Sequence, residues 1–169
     1  MPLSRYLRAV RAKIGHDLLM LQSATVMLFD GADRLLLARD TDSGLWMTIG
    51  GAIEPDEAPA DAAVREVWEE TGLLVEPSGI LGVFGGPEFR ITYPNGDNVS
   101  YIVTVFAARL VGGEPRADGT EASELRFISR DEIATLPMAP WTREIVTRAF
   151  DRNEIPYFAP SRWRPTIST

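Results

Sequence analysis

The first apolar residues of the chain, Leu3, Tyr6, Leu7, Val10 and Ile14, fall at helical spacing, with Arg5, Arg8, Arg11 and Lys13 between them. That pattern predicts an amphipathic helix over about residues 3–15. Two dense apolar runs follow, Ser23–Phe29 and Arg34–Arg39, around the turn residues Asp30-Gly31-Ala32-Asp33, and together they predict a hairpin. Leu74–Phe84 predicts extended chain. Val99–Leu110 is apolar on both alternating sets and rich in Val, Ile, Tyr and Phe, the signature of a central strand covered on two sides. Just before it, Asn95-Gly96 offers the preferred centre of a tight hairpin turn. Glu124–Ile128 predicts a last strand, and Ser129-Arg130-Asp131-Glu132 has the spacing of a capping box. Pro140–Phe150 predicts a terminal helix with Trp141, Ile145 and Ala149 on one side.

A different pattern interrupts the strands at Gly51–Leu73, which reads GAIEPDEAPADAAVREVWEETGL. Pro59 is tolerated in a first helical turn, Asp56 is the expected N-cap, and Gly72 supplies the C-terminal stop. On such a helix Glu66, Glu69 and Glu70 share an arc of about 100°. Ala60, Ala63, Val64 and Val67 form an adjoining stripe able to face a core. Ala62 falls inside the carboxylate arc, where a small side chain leaves room for ions. Arg65 stands one turn before Glu69 and is placed to orient it, and Glu57, at the approach to the helix, can pair with Arg65. Trp68 points away from the arc and is expected to pack.

Carboxylates gathered this closely repel one another unless a cation neutralises them. A solvated acidic face is the common alternative, but such faces mix signs and do not follow a Gly-Gly turn. Oxygen ligands in a chain with no Cys and one His select a hard cation, Mg²⁺ or Mn²⁺, over zinc. Ions of this kind act on phosphate-bearing substrates, and a remaining glutamate can take the proton of an attacking water. The single histidine, His16, lies at a helix end, where a capping or surface role is expected.

These residues carry a resemblance. Gly51, Glu57, Arg65, Glu66, Val67, Glu69, Glu70, Gly72 and Leu73 occupy every specified position of the Nudix box. That box is Gly, five residues, Glu, seven residues, Arg-Glu, an aliphatic residue, any residue, Glu-Glu, any residue, Gly, and an aliphatic residue. The chain therefore resembles the MutT-like Nudix hydrolases. The resemblance implies an α/β/α sandwich with a mixed β-sheet between helices. It also implies hydrolysis of a phosphoanhydride with Mg²⁺ or Mn²⁺ as cofactor, in a nucleoside diphosphate derivative of ADP-ribose or sugar-nucleotide type or in a nucleoside triphosphate. The other implied reading is a catalytically weak sensor that binds a nucleotide or metabolite on the same fold. By the same resemblance Glu66, Glu69 and Glu70 are expected metal ligands, Glu66, Glu69 and Arg65 act in catalysis with Glu66 a candidate base, and the Gly50 carbonyl completes the coordination. A later loop supplies a further carboxylate, Glu121 or Glu124. One departure is visible: Ile49-Gly50-Gly51 stands where the family often has Pro-Gly-Gly, which removes a fixed φ but no ligand.

Length and charge narrow the partners. At 169 residues and 45% hydrophobic content the chain is expected to form one domain. A net charge of −7 speaks against a broad electrostatic grip on nucleic acid. No signal-peptide pattern or membrane-length apolar run is present, so a cytoplasmic protein acting on a small nucleotide is expected, away from membranes. The N-terminal helix is expected to pack on the domain, to form a homodimer contact or to lie on a membrane surface. The tail over about residues 152–169, with Tyr157, Phe158 and Trp163 among prolines, is expected to lie along a surface of this subunit or of a partner. For the substrate, stacking candidates are Phe84, Phe89 and Tyr93, with Arg90 for a phosphate or carboxylate and Arg39 and Trp46 just ahead of the box. Pro87 lies about where some ADP-ribose-type Nudix enzymes carry a proline.

Overall fold

The computed structural model describes residues 4–151 and 156–161. Its main sheet has the strand order β4-β1-β7-β5-β9, with β6 pairing a further stretch of β7. The strands are β1 Leu19–Leu28, β4 Ile49–Ala52, β5 Leu73–Phe84, β6 Arg90–Thr92, β7 Asn98–Gly113 and β9 Tyr157–Phe158. Pairing is mixed: β1 and β7 run parallel, while β4 with β1 and β5 with β7 run antiparallel. The apolar 99–110 run is central, flanked on both sides as its pattern requires. A second sheet, β3-β2-β8, is built from Trp46–Met47, Leu35–Asp40 and Ala122–Ile128.

The expected hairpin of the first two apolar runs forms only at its turn. Asp30 N–H donates to the Arg34 carbonyl at 2.9 Å and Phe29 bridges Leu35, but the strands then part, β1 into the main sheet and β2 into the second. Both faces of β2 are apolar, so it buries more by lying between two clusters than by pairing with β1. The turn at Asn95-Gly96 joins β6 to β7 as expected, closed by Gly96 N–H to the Tyr93 carbonyl at 2.9 Å.

Helices cover the sheets from both sides. Helix α2, Pro59–Thr71, packs Ala62, Ala63 and Val67 onto Ala24, Val26, Ile49 and Phe106. On the other side α4, Pro140–Asp151, buries Ile145, Val146, Ala149 and Phe150 with Met27, Leu35, Trp46 and Val105, and Trp141 packs half-buried against them. Between β8 and α4, the short α3 (Arg130–Ile133) begins at Ser129, whose N–H and hydroxyl both donate to Glu132 at 2.9 Å. Helix α1, Arg5–Ile14, buries Leu7 and leaves Tyr6 exposed. Leu3 and Trp163 lie outside the described residues. Tyr157 and Phe158 pair with Gly82 and Val83, and Tyr157 stacks on Phe84 at 4.7 Å, so this part of the tail lies on its own subunit. No helix of the described residues is long and apolar enough to cross a membrane.

Candidate active site

Helix α2 starts at Ala58, not at Asp56. Ala58 has extended geometry and no side-chain cap, while Asp56 takes a φ of 67° in the preceding turn. Pro59 at the first helical position needs no N–H partner, which lowers the need for a capping side chain. The helix ends at Gly72, whose φ of 69° is the left-handed conformation that lets its N–H reach the Trp68 carbonyl at 2.9 Å.

The carboxylates stand on the buried face of α2. Glu66 and Glu70 share that face with Ala62, Ala63 and Val67, so Ala62 is a core contact and leaves no space for an ion. Trp68, expected to pack, is 54% exposed, because the face opposite Glu66 and Glu70 turns to solvent. Strand β4 presses against the carboxylates from the other side. Gly50 N–H donates to Glu70 Oε1 at 3.1 Å, and the Glu66 carboxyl fills the space a side chain at Gly51 would need.

Arg65 organises the acidic groups with all five of its donors. Nε and Nη2 form a two-pronged pair with Glu57 at 2.7 and 2.9 Å, Nη2 also reaches the Ala52 carbonyl at 3.0 Å, and Nη1 reaches Glu66 at 2.7 Å and Glu69 at 3.2 Å. Its bonds to Glu57 and Glu66 hold the guanidinium all the more firmly in its charged form, and Arg65 in turn holds the Glu57 carboxyl below its ordinary range. Every one of its donors is therefore spent on the protein. Glu57 thus pairs with Arg65 at the helix entry as expected, and it accepts the Glu54 N–H as well, which ties the loop to the helix.

Burial pushes the Glu66 carboxyl up despite Arg65, and pushes Glu70 well above the usual carboxylate range, with repulsion from Glu66 adding to it. Glu70 is 2% exposed, and its Oε2 has no hydrogen-bond partner among the described residues. A buried charged oxygen without a donor is costly and calls for a counterion. Among the described residues, no three or more His, Cys, Asp or Glu side chains are grouped closely enough to hold a metal ion as they stand.

Of the two later carboxylates, Glu121 joins the cluster and Glu124 does not. Glu121 lines a cleft of 320 Å³ with Glu54, Arg65, Glu66 and Glu69, and its charge acts on Glu66 and Glu70. Glu124 lies 3.7 Å from Arg39 on the neighbouring strand. The residue that decides this is Asp118, which sequence reasoning missed. It accepts the N–H groups of Thr120, Glu121 and Ala122, while its own N–H donates to the Glu70 carbonyl at 3.2 Å, so the loop folds onto the end of α2. The signal was present in Asp118-Gly119, an Asx-turn pair.

The expected substrate residues divide. Phe84 and Phe89, each 3% exposed, and Trp46, 5% exposed, are core side chains, so none offers a face to a ligand. A strand ending in a core-facing aromatic looks in sequence like one ending at a binding surface. Arg39 donates to the Gly44 carbonyl at 3.1 Å, Arg90 is exposed on β6, and neither lines the carboxylate cleft or the cavity beside it. Tyr93 does line one. This second cavity, of 290 Å³, shares Leu7 and Ala52 with the carboxylate cleft and adds Tyr101, whose hydroxyl lies 2.7 Å from that of Tyr93. His16 is on the surface as expected, with Nδ1 at 2.8 Å from Asp97.

Comparison with known proteins agrees with this arrangement. A family model described as the NUDIX domain matches residues 20–149. A protein of Bacillus subtilis (strain 168) named "Putative 8-oxo-dGTP diphosphatase" is 33% identical over 73% of this chain and 76% of its own length. The ADP-ribose pyrophosphatase of Methanocaldococcus jannaschii is 32% identical over 70% of this chain and 65% of its own. The crystal structure of an ADP-ribose pyrophosphatase from Streptococcus suis is 26% identical, covers 81% of this chain and 96% of its own, and superposes with a TM-score of 0.58. With its Nudix box folded as a glycine-backed carboxylate helix and the family's match spanning most of its length, this chain belongs to the Nudix hydrolase family.

Proposed function

We propose that the chain is a divalent-metal-dependent pyrophosphohydrolase. Its substrate is a nucleoside diphosphate derivative of ADP-ribose or sugar-nucleotide type or a nucleoside triphosphate, and it cleaves a phosphoanhydride bond. The observation that carries this reading is the Glu70 carboxylate, buried with one oxygen unpartnered and facing Glu66 and Glu121. Glu66, Glu70 and Glu121, with the backbone of Gly50, would hold Mg²⁺ or Mn²⁺, since an all-oxygen set suits a hard cation. When bound, the ion supplies charge neutralisation for the phosphates and a more acidic water.

The chain's own groups do the rest. Arg65 holds Glu66 and Glu69 at fixed positions on the cleft wall. Glu69, 58% exposed at its side chain, is the carboxylate open to solvent and serves as proton acceptor for the attacking water. Glu57 keeps Arg65 in place from behind, and the Asp118 turn brings Glu121 to the opposite wall. The names of the Methanocaldococcus and Streptococcus proteins support the nucleoside diphosphate class, and that of the Bacillus protein supports the triphosphate.

Release of phosphate, pyrophosphate and nucleoside monophosphate is to be measured from ADP-ribose, sugar nucleotides, ordinary and oxidised nucleoside triphosphates and diadenosine polyphosphates. Each is tested with Mg²⁺, with Mn²⁺ and with chelator. Metal-dependent cleavage of one class is expected, and binding without turnover of any member sinks the proposal.

A further inference from the structure

The cavity beside the carboxylate cleft is built by two elements bolted together at one end. Arg11 of α1 donates to the carbonyls of Gly15, Asp17 and Asn98 and stands 3.6 Å from Asp97, which also takes His16 at 2.8 Å. Asn95 donates to the same Asp97 carboxylate at 3.0 Å. These contacts fix the end of α1 against the turn between β6 and β7, and they commit the Asp97 carboxylate to His16, Asn95 and Arg11. The cavity lies between the two elements, with apolar walls from Leu7, Leu19, Leu21 and Val99.

Two groups keep open valences. The Tyr93–Tyr101 hydroxyl pair shares one hydrogen, which leaves it one donor and further acceptor capacity. Asp42 makes no hydrogen bond or ion pair among the described residues. With Arg11 balanced by Asp97, Asp42 leaves the cavity negative, which disfavours a phosphate or carboxylate there and favours a neutral ring bearing N–H donors. At 290 Å³ the cavity lies near the lower end of small-molecule sites, about 300–1,000 Å³, enough for one ring system. Leu7 and Ala52 line both spaces, so a ligand can run from one into the other. Leu7, Arg11 and Leu19 stand outside residues 20–149 matched to the family.

We propose that the cavity between α1 and the β6–β7 hairpin is the subsite for the nucleobase of the substrate, with Asp42 and the Tyr93–Tyr101 pair selecting an amino-bearing base. The inference deepens the hydrolase reading above and rests on it for the identity of the ligand as a nucleotide. Leu7 then acts as the shared wall that aligns the base with the phosphates in the carboxylate cleft. Asp42 accepts from the exocyclic amino group, and the tyrosine hydroxyls meet the ring nitrogens and carbonyl oxygens.

The test is a nuclear magnetic resonance titration of the full chain in chelator with adenosine, cytidine and uridine, none of which has a phosphate. Saturable amide shifts at Leu7, Val99 and Tyr101 are expected, with cytidine binding about tenfold or more tightly than uridine, the range for one hydrogen bond to a charged group. Asp42→Ala, at an exposed position, should erase that difference, and Tyr101→Phe, which keeps the ring, should weaken adenosine and cytidine. Shifts elsewhere, no binding, or equal affinity for cytidine and uridine in the parent chain overturn the subsite. The titration is independent of turnover. Hydrolysis of the substrate panel without nucleoside binding here overturns the subsite alone, and nucleoside binding here without any hydrolysis overturns the enzymatic reading alone.

Discussion

A β-carbon at Gly51 would stand 2.6 Å from the Glu66 carboxyl carbon, closer than real side chains approach. The glycine is therefore required by the carboxylate lodged against it and not by its own dihedral angles, since φ at Gly51 is not positive. Gly51→Ala should displace Glu66 and lower turnover and Mn²⁺ affinity by about 10- to 100-fold, the usual effect of disturbing a ligand's support. Steady-state kinetics and calorimetry check it, and parent-like values for both would contradict the placement of Glu66.

Arg65→Lys tests whether charge or shape matters at the centre of the cluster. A lysine keeps the charge but has three donors on one atom, so it cannot bridge Glu57, Glu66, Glu69 and the Ala52 carbonyl together. A stability loss of about 1–3 kcal/mol by urea denaturation is expected, from the hydrogen bonds lost to charged partners. Turnover should fall with it. An unchanged midpoint would mean that the guanidinium geometry is dispensable.

Glu70→Gln should separate stability from function. Burial and the neighbouring Glu66 make the Glu70 charge costly in the metal-free protein, so the neutral amide is expected to raise the melting temperature in chelator. The rise should be about 2–4 °C per kcal/mol recovered. The same variant should lose the thermal shift that Mn²⁺ gives the parent chain. A destabilised variant that still responds to Mn²⁺ would reverse the argument.

The two acidic residues of the 118–124 segment should behave differently. Glu121→Gln is expected to lower metal affinity and turnover by about 10-fold or more, while Glu124→Gln, which loses only an exposed 3.7 Å approach to Arg39, should stay within about twofold. Asp118→Ala should reproduce the Glu121 defect by loosening the turn. Equal effects at positions 121 and 124 would remove Glu121 from the site.

Asp97 predicts a pH dependence of stability. The His16 hydrogen bond, helped by Asn95 and Arg11, holds the Asp97 carboxyl below its ordinary range. Because the folded value is depressed, the stabilisation is present above the unfolded value of about 3.9 and is lost as pH falls through the folded one. The stability difference between the parent chain and Asp97→Asn should be full at pH 6 and shrink progressively below pH 4. Denaturation curves at both ends check it, and a gap that widens in acid would give the wrong sign.

Much of this molecule was legible in its residue order. The periods at residues 5–14, 99–110 and 140–150 identified their elements, and the spacing of Glu66, Glu69 and Glu70 with Arg65 identified a cluster on one helix, because helical geometry turns spacing directly into adjacency. The partnership of Glu57 with Arg65 was legible for the same reason, being local. Aromatic residues near the box were ambiguous, since burial depends on which sheet a strand joins. Phe84, Phe89 and Trp46 went to the core, and Tyr93 lines the cavity beside the carboxylate cleft.

The sequence by itself determined the acidic helix, its glycine stops and the grouping of its carboxylates, since these are fixed by covalent spacing within a few turns of chain. Only the tertiary structure decided that this face is buried against β4, that Glu121 and not Glu124 approaches it, and that α1 walls a cavity with the hairpin of Tyr93. Those outcomes depend on contacts between segments far apart in the chain. Packing selects such contacts from many pairings that no local period distinguishes.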